Sequence, residues 1–329
     1  MTALGASLST APPTLSPAEA THLARTHFGI SGQLTQLTSE RDLNFRLTTP
    51  AGQFVLKLAN PAEPPEVTQF QTAALLHLEP TRLPVPKVIR TLTGQTAAQT
   101  PHGILRLLTY LEGTPLYQTP RTPQQRRNMG TTAARLALGL QGFHHPGAAH
   151  VLQWDIKHAA NLRPLLPHVP AAIRNLATET LDRFERDILP HIPSLRTQVV
   201  HNDLNPHNVL VNPANPDEIT GILDFGDMVQ TPLICDAAVT ACYQIDPTQP
   251  LQSLRDFARA YHATLPLTPL EIRLVPDLTA TRMLTSLTIA SARAALYPDN
   301  APYILRNYQG AQDGLIALAN LPRLPLDLT

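Results

Sequence analysis

A chain of 329 residues with 43% hydrophobic and 15% charged side chains has the composition of a soluble globular protein and is long enough for two lobes. Its 25 basic and 25 acidic residues give a formal net charge of zero, which argues against a general nucleic-acid binder, because such proteins need a basic surface. No apolar run approaches the roughly 20 residues that span a bilayer, and residues 1–17 do not have the pattern of a signal peptide. We therefore expect no nucleic-acid or membrane partner and a cytoplasmic location.

The N-terminal third predicts a small antiparallel sheet that carries one helix. A short helix is predicted to end near residue 28, and residues 66–78 have the apolar spacing of three and four that is typical of a second helix. Turn sequences such as Pro50-Ala51-Gly52 separate the strands. The predicted strands lie at residues 33–38, 43–49, 53–59, 87–92 and 103–111.

The rest of the chain predicts a mainly helical lobe. Two β-like segments, residues 198–211 and 218–225, interrupt the helical pattern. The predicted helices lie near residues 122–145, 170–189, 232–243, 251–264, 268–296 and 302–320. The fold class is therefore α+β, and the expected division is a flexible tail at 1–17, an N-terminal sheet lobe at 18–112 and a C-terminal helical lobe with the catalytic loop at 113–329.

Two polar motifs follow the β-like segments of the helical lobe. The first runs from His201 through Asp203 to Asn208 in the pattern H-x-D-x-x-x-x-N, and the second is Asp224-Phe225-Gly226. The spacing suits phosphoryl transfer, in which an aspartate takes the proton of the acceptor hydroxyl. An asparagine oxygen and a second aspartate then hold Mg²⁺ against the phosphates, because this ion prefers oxygen ligands.

Lys57 supports the same interpretation. Only three of the 25 basic residues are lysine, and this one lies in the apolar strand Phe54-Val55-Leu56-Lys57-Leu58, where an unpaired charge is costly. Each motif alone is common in turns, whereas their order, their spacing and the strand lysine together favour a kinase. A nucleotide-binding pseudokinase and a metal-dependent hydrolase are the alternatives from other classes.

These segments resemble the aminoglycoside phosphotransferase superfamily, the small-molecule branch of the kinase-like fold, and in particular its hydroxylysine kinase subgroup. The resemblance covers most of the chain and implies a bilobal protein-kinase-like fold, with a small antiparallel-sheet N-lobe and a mainly helical C-lobe. Besides the two motifs, the matching segments are residues 39–45, Phe54-Val55-Leu56-Lys57, residues 106–113, Phe143-His144-His145-Pro146 and Trp154-Asp155.

The resemblance implies a role for each matching position, with ATP or GTP as co-substrate and Mg²⁺ as cofactor. Asp203 is the catalytic base, and Asn208 and Asp224 are the metal ligands. Lys57 contacts the α- and β-phosphates. The backbone around Leu108 and Tyr110 holds the nucleotide base, and Ser39 and Asn44 either donate to phosphates or have simple turn roles.

Two positions depart from the kinase pattern. Asn202 stands where protein kinases place an arginine before the base, which favours small-molecule chemistry without an activation-loop switch. The helix residue that should pair with Lys57 is Gln71, which accepts a hydrogen bond but carries no charge. Glu66, one to two turns earlier, is the other candidate partner, and the sequence does not decide between them.

The resemblance implies a hydroxylated amine or amino acid as acceptor, with hydroxylysine-like compounds first, and a functional association with a class III aminotransferase. Trp154 and Asp155 are predicted to cradle a cationic amine, unless they are a buried tryptophan and a helix cap. Asp227 is predicted to bind substrate or metal, or to cap a turn. An aminoglycoside ranks lower, because residues 251–329 contain no dense acidic run. Homoserine and sugars remain alternatives, and the sequence does not indicate an oligomeric state.

Overall fold

The computed structural model describes residues 12–39, 41–321 and 326–328, so most of the predicted tail lies outside the described residues. The described chain forms two compact units, which we call the first and the second unit. The first unit contains residues up to 112 together with His145–Ala148 and Gly221–Leu223. The second unit contains Gly113–His144, Ala149–Thr220 and the described residues from 224 onward.

Strands and helices appear in the predicted order. The strands are β1 (Gln33–Leu37), β2 (Leu43–Thr49), β3 (Gly52–Leu58), β4 (Val88–Ile89), β5 (Ala98–Thr100), β6 (Gly103–Thr109), β7 (Thr114–Pro115), β8 (Thr197–Val200), β9 (Val209–Asn212), β10 (Asn215–Ile222) and β11 (Val229–Pro232). The α-helices are α1 (Pro17–Phe28), α2 (Pro65–Leu78), α3 (Pro123–Gly139), α4 (Ala171–Arg183), α5 (Leu233–Cys242), α6 (Pro250–Thr264), α7 (Pro269–Leu296), α8 (Ala301–Ile304) and α9 (Tyr308–Ala319). Shorter 3-10 helices include Leu116–Gln118, Ile156–His168 and Phe225–Asp227.

The sheet of the first unit has the strand order β1-β2-β3-β6-β4, and β5 pairs with β6. Along β2, Leu43, Phe45 and Leu47 are buried while the intervening side chains are more exposed, which is the alternation that a sheet with one covered face requires. The buried side chains of α1, including Ala24 and Phe28, belong to the same apolar core. Lys57 lies in β3, so the pairing of this strand with its neighbours fixes the backbone around it.

Local signals fix both ends of α1. Ser16 and Glu19 form a capping box at its N-terminus, and Pro17 occupies the first turn. Gly29 follows the helix with φ of 69°, a left-handed conformation that glycine adopts without a steric penalty. The predicted short helix is therefore present and ends where expected.

In the second unit, short strands frame the two polar motifs. β8 pairs with β11, and β9 lies between β7 and β10. The loop of residues 201–208 joins β8 to β9, and residues 223–228 join β10 to β11. Helix α7 packs against α5, and almost all of its side chains between Leu274 and Arg293 are buried. The motifs are thus attached to strand ends beside a buried helix.

Some elements differ from the sequence-based prediction. The strand predicted at 87–92 contains only Val88–Ile89, and the helix predicted at 302–320 is divided into α8 and α9. The 3-10 helix Ile156–His168 was not predicted, because Pro164 and Pro167 interrupt any helical period. Strands of two or three residues, such as β5 and β7, are too short to show an alternation of apolar and polar residues in the sequence. None of the described helices is both long and apolar enough to cross a membrane.

The start of α7 generates a stability prediction. The carboxylate of Glu271 is 1% exposed. It accepts hydrogen bonds from Arg196 (Nη2, 2.6 Å) and from the backbone N–H of Thr268 (2.7 Å), and the latter bond is part of a capping box. We expect Glu271→Ala to lower the free energy of unfolding by about 2–3 kcal/mol, because it removes both a helix cap and a partly buried ion pair.

Urea denaturation measures this difference, and Asp182→Ala is the matched control. Asp182 pairs with Arg163 at 2.7 Å, but both side chains are more than two-fifths exposed. We expect Asp182→Ala to lower the free energy of unfolding by less than about 1 kcal/mol. Equal losses in the two variants would contradict the importance assigned to Glu271.

Candidate active site

The loop of residues 201–208 is built on two buried residues. The ring of His201 contacts Phe225 edge-on at 4.8 Å between centroids, and its Nδ1 accepts a hydrogen bond from the N–H of Asp203 (3.2 Å). Asn202 has φ of 63°, a left-handed conformation that asparagine tolerates better than most residues. Its N–H donates to Oδ1 of Asp236 at 2.6 Å. These contacts fix the backbone on both sides of Asp203.

Asp203 receives hydrogen bonds from its own loop. The amides of Asn205 (2.9 Å) and Asn208 (2.7 Å) both donate to its Oδ2. Asn208 also donates to the carbonyl oxygen of Asp203 at 3.0 Å. The Oδ1 atom faces Arg282, whose Nη2 lies 3.3 Å away. The carboxylate is therefore held in one orientation by three side chains.

The electrostatic environment of Asp203 favours its protonated form. Burial raises the pKa of its carboxyl most, and the nearby charges of Asp227 and Asp224 raise it further. The charge of Arg282 and the hydrogen bond from Asn205 oppose them, and the pKa rises to about 7. The second unit thus brings together three of the aspartates singled out from the sequence.

Asn208 and Asp224 fit a divalent metal ion. Because the Asn208 amide nitrogen is bound to Asp203, its oxygen is the atom left to coordinate an ion. Asp224 has φ of 54°, and its Oδ1 accepts from the N–H of Gly226 at 3.1 Å. No group of three or more His, Cys, Asp or Glu side chains in the described part of the chain could hold a metal. Two oxygen donors suit an ion that completes its shell with phosphates and water.

Arg282 is the residue of this site that the sequence did not reveal. It lies in the middle of α7, and its side chain is 3% exposed. Its Nη1 donates to the carbonyl of Trp154 (2.9 Å), and its Nη2 donates to the hydroxyl of Tyr243 (3.3 Å) as well as to Asp203. An arginine in an otherwise apolar stretch of helix was the available signal, because a charge there needs a buried partner.

The structure gives Asp155 a structural role instead of the predicted contact with a substrate amine, whereas the role of the half-buried Trp154 stays a prediction. Asp155 is fully buried and caps the helix Ile156–His168, and its Oδ1 accepts from the hydroxyl of Thr231 at 2.8 Å. Its Oδ2 forms an ion pair with Lys157 at 3.0 Å. The cation that lies over the Trp154 ring is Arg282, 5.4 Å from the ring centroid. Asp155 thus caps a helix and balances Lys157 inside the second unit.

Asp227 lies at the end of the 3-10 turn Phe225–Asp227 and is 8% exposed. Its charge acts on Asp203, as described above. Whether Asp227 binds metal or substrate stays a prediction.

In the first unit, Lys57 forms its ion pair with neither of the helix residues considered from the sequence. Its Nζ lies 2.9 Å from Oδ2 of Asp42, which directly precedes β2. Burial would raise the pKa of Asp42, but Lys57, and after it Arg106, outweigh burial, so the pKa is lowered. Neither Gln71 nor Glu66 makes this ion pair.

Gln71 instead binds Arg106, which lies opposite Lys57 in the β3–β6 register. The Nη2 of Arg106 donates to Oε1 of Gln71 at 2.9 Å, and Arg106 is 2% exposed. The amide nitrogen of Gln71 donates in turn to Glu63 at 3.2 Å. A neutral residue at position 71 is thus the partner of a buried arginine.

The other positions assigned to nucleotide binding lie in or beside the same sheet. Asn44 lies opposite Lys57 in the β2–β3 register, and its buried Oδ1 has no hydrogen-bond partner among the described residues. Ser39 is half-buried, and the next residue of the predicted phosphate loop, Glu40, lies outside the described residues. These two roles stay predictions.

The backbone predicted to hold the nucleotide base lies at the end of β6 in this sheet. Leu108 lies opposite Val55 on one side and Val88 on the other. The N–H of Tyr110 donates to the carbonyl of Gln53 at 3.1 Å. The role of Leu108 and Tyr110 in holding a base stays a prediction.

The model of the phosphotransferase enzyme family (APH) matches residues 33–274. Hydroxylysine kinase of Mus musculus is 28% identical over an alignment of 334 residues. The alignment covers 91% of this chain and 88% of that protein. Homoserine kinase of Methylobacillus glycogenes is 26% identical over 229 residues, 68% of each protein.

Solved structures are also similar. The structure of the microcompartment-associated aminopropanol kinase has a TM-score of 0.68 and 18% sequence identity, and the match covers 89% of this chain and 97% of that one. This similarity confirms the predicted α+β, protein-kinase-like fold.

Asp236 generates a prediction about pH. It is 1% exposed, and its Oδ2 has no hydrogen-bond partner among the described residues. Burial raises the pKa of its carboxyl to about 6, against the hydrogen bond from Asn202 and the charge of Arg282. A folded pKa above the unfolded value of about 3.9 means that this group destabilises the fold as pH rises from about 4 to 6, with no further change above.

Asp236→Asn should remove this pH-dependent cost while keeping an acceptor for the N–H of Asn202. We expect the free energy of unfolding of the variant, minus that of the unchanged protein, to increase by about 2 kcal/mol between pH 4 and pH 6. Urea denaturation at a series of pH values measures it, with the surface variant Asp182→Asn as control. A difference that does not vary with pH would contradict the assignment.

Proposed function

Because the chain belongs to the phosphotransferase enzyme family, we propose that it is a kinase whose acceptor is a hydroxy amino acid of the hydroxylysine type. The chain is a phosphotransferase that uses an alcohol group as acceptor and a nucleotide as co-substrate, with a divalent metal. The identity of the acceptor, the nucleotide and the metal, and the role of each residue, are the parts that we propose.

The observation that carries the proposal is the arrangement around Asp203 in the second unit. A carboxylate held by two amides and one arginine lies in a loop that also presents the Asn208 oxygen. Two further aspartates, Asp224 and Asp227, are close enough to change its pKa. A positioned base next to oxygen donors for a metal is what phosphoryl transfer to a hydroxyl requires.

We assign the role of general base to Asp203. It accepts the proton of the acceptor hydroxyl while the bond from the hydroxyl oxygen to the γ-phosphorus forms and the bond to the β-phosphate oxygen breaks. A pKa of about 7 is suited to this role, because a base works best when its pKa lies near the working pH. Asn205 and Asn208 orient the carboxylate, and Arg282 stabilises its charge.

We assign metal binding to Asn208 and Asp224 and propose Mg²⁺ as the ion. When bound, this ion neutralises charge on the β- and γ-phosphates. Lys57, fixed by Asp42 at 2.9 Å, is assigned to the α- and β-phosphates. ATP and GTP remain equal candidates for the co-substrate.

The acceptor is inferred from relatives and from charge. Proteins named hydroxylysine kinase match about nine-tenths of this chain, and homoserine kinases match about two-thirds. Both names describe a hydroxyl on an amino acid. The association with a class III aminotransferase rests only on the resemblance drawn from the sequence.

A substrate panel tests the proposed acceptor. With Mg²⁺ and either ATP or GTP, we expect release of nucleoside diphosphate with hydroxylysine at a higher kcat/KM than with homoserine, aminopropanol, an aminoglycoside or a neutral sugar. Omission of Mg²⁺ is the control. Turnover only with sugars or aminoglycosides would refute the acceptor class, and no turnover with any compound would favour a pseudokinase.

A second experiment tests the base. Asp203→Asn keeps the shape of the side chain but cannot accept the proton, so kcat should fall at least about 10²-fold. Nucleotide affinity, measured by calorimetry, should change less than about threefold. Asp182→Asn on α4 is the control and should keep full activity. A variant at position 203 with more than about a tenth of the original kcat would show that Asp203 is not the base.

A further inference from the structure

The second unit contains a cavity of about 730 Å³ beside the catalytic loop. Its wall includes Pro206 and His207 from that loop and residues from the start of α3, the end of α5 and the segment before α9. The polar side chains that line it include Tyr117, Arg121, Arg126, His207, Asp246 and Arg306.

Positive charge exceeds negative charge in this wall. Three guanidinium groups, from Arg121, Arg126 and Arg306, line the cavity with a single carboxylate, Asp246. An anion is therefore the ligand that the wall would attract.

Two of the arginines differ in how they are held. Arg126 is 6% exposed, and its Nη2 lies 2.9 Å from Oδ2 of Asp246, while its buried Nε has no hydrogen-bond partner among the described residues. Among the described residues, Arg121 donates to the backbone carbonyl of Tyr243 and to no carboxylate. Its side chain as a whole is exposed, but the guanidinium lies against the wall, where desolvation, and to a smaller degree Arg126, lower its pKa. Asp246 thus neutralises Arg126, whereas Arg121 has no carboxylate hydrogen-bonded to it.

The cavity is linked to the catalytic residues through Tyr243 and His207. The carbonyl of Tyr243 accepts from Arg121, and its hydroxyl accepts from Arg282, the arginine that pairs with Asp203. His207 follows Asp203 by four residues in the same loop, and its ring stacks on Tyr117 at 4.3 Å between centroids. A ligand in the cavity would therefore lie next to the loop that carries the base.

We propose that this cavity binds the carboxylate of the acceptor, with Arg121 as its main donor and Arg306 as a second donor. The inference rests on the proposed function, because it assumes a hydroxy amino acid as acceptor. A guanidinium presents two parallel N–H groups that match the two oxygens of a carboxylate. The same surplus of positive charge would repel an aminoglycoside, which carries several ammonium groups.

The test compares two acceptors and two forms of the enzyme. The acceptors are hydroxylysine and its primary amide, which keeps the shape but has no carboxylate charge. For the unchanged enzyme, kcat/KM should be about tenfold to hundredfold lower with the amide, the effect of one charge-assisted hydrogen bond. For Arg121→Gln, kcat/KM with hydroxylysine should fall by a similar factor, and kcat/KM with the amide should stay within about twofold.

Arg306→Gln provides a second variant. Its kcat/KM with hydroxylysine should fall by about threefold to tenfold, while its kcat/KM with the amide should not change. The loss is smaller than for Arg121→Gln because Arg306 is exposed and already lies over the ring of Tyr303. Arg135→Gln, at an exposed position of α3 outside the cavity, is the matched control and should not change either value. The KM for nucleotide should stay constant in all three variants, since a general structural defect would alter it.

The possible results distinguish an error in the proposed function from an error in the carboxylate site. If the unchanged enzyme phosphorylates neither hydroxylysine nor its amide, the proposed function is wrong and this inference falls with it. If it phosphorylates both equally well, the function stands and the carboxylate site is refuted. If Arg121→Gln lowers both activities in proportion, the cavity holds a separate anion or a structural contact, and the inference is also refuted.

Discussion

The organisation of the second unit depends on the ion pair between Arg282 and Asp203. Burial raises the pKa of both Asp203 and Asp236, and the charge of Arg282 opposes that shift at each carboxyl. A single guanidinium in the middle of α7 thus acts on two carboxyl groups in a region of low dielectric. Its other hydrogen bonds, to Trp154 and Tyr243, fix it in place. The orientation of the Asp203 carboxylate is therefore set by tertiary packing and by its own loop together.

In the first unit, too, positively charged side chains are paired within the fold, but with different residues. Lys57 and Arg106 are neighbours across β3 and β6, so the sheet must hold two cations side by side. Asp42 supplies the negative charge for Lys57, and the neutral Gln71 accepts from Arg106. A glutamate at position 71 would lie beside Arg106, the present partner of Gln71, and beside the carboxylate of Glu63. This explains why the helix can lack the expected acid while Lys57 still has a carboxylate partner.

The sequence predicted those features that depend on nearby residues. The order of strands and helices, the end of α1 and the two polar motifs follow from local period, turn residues and spacing. The roles of Asp155, Arg282 and Arg106 could not be predicted, because their partners lie 76, 79 and 35 residues away along the chain. Asp155 is the clearest case, since an aspartate after a tryptophan looks the same in sequence whether it faces a ligand or caps a buried helix.

Charge also decides how a small acceptor can be recognised in the second unit. In the proposed site, Asp224 and Asp227 belong with the metal and the phosphates, and an amine that used them as its main contacts would compete with the metal. Recognition of the acceptor through an anionic group would avoid that competition, because in the carboxylate site that we propose, Arg121 and Arg306 would attract the carboxylate to the cavity wall. A hydroxy amino acid carries both the anionic group and a hydroxyl at the end of a short chain. Binding one end at the arginines leaves the hydroxyl end available to the carboxylate of Asp203.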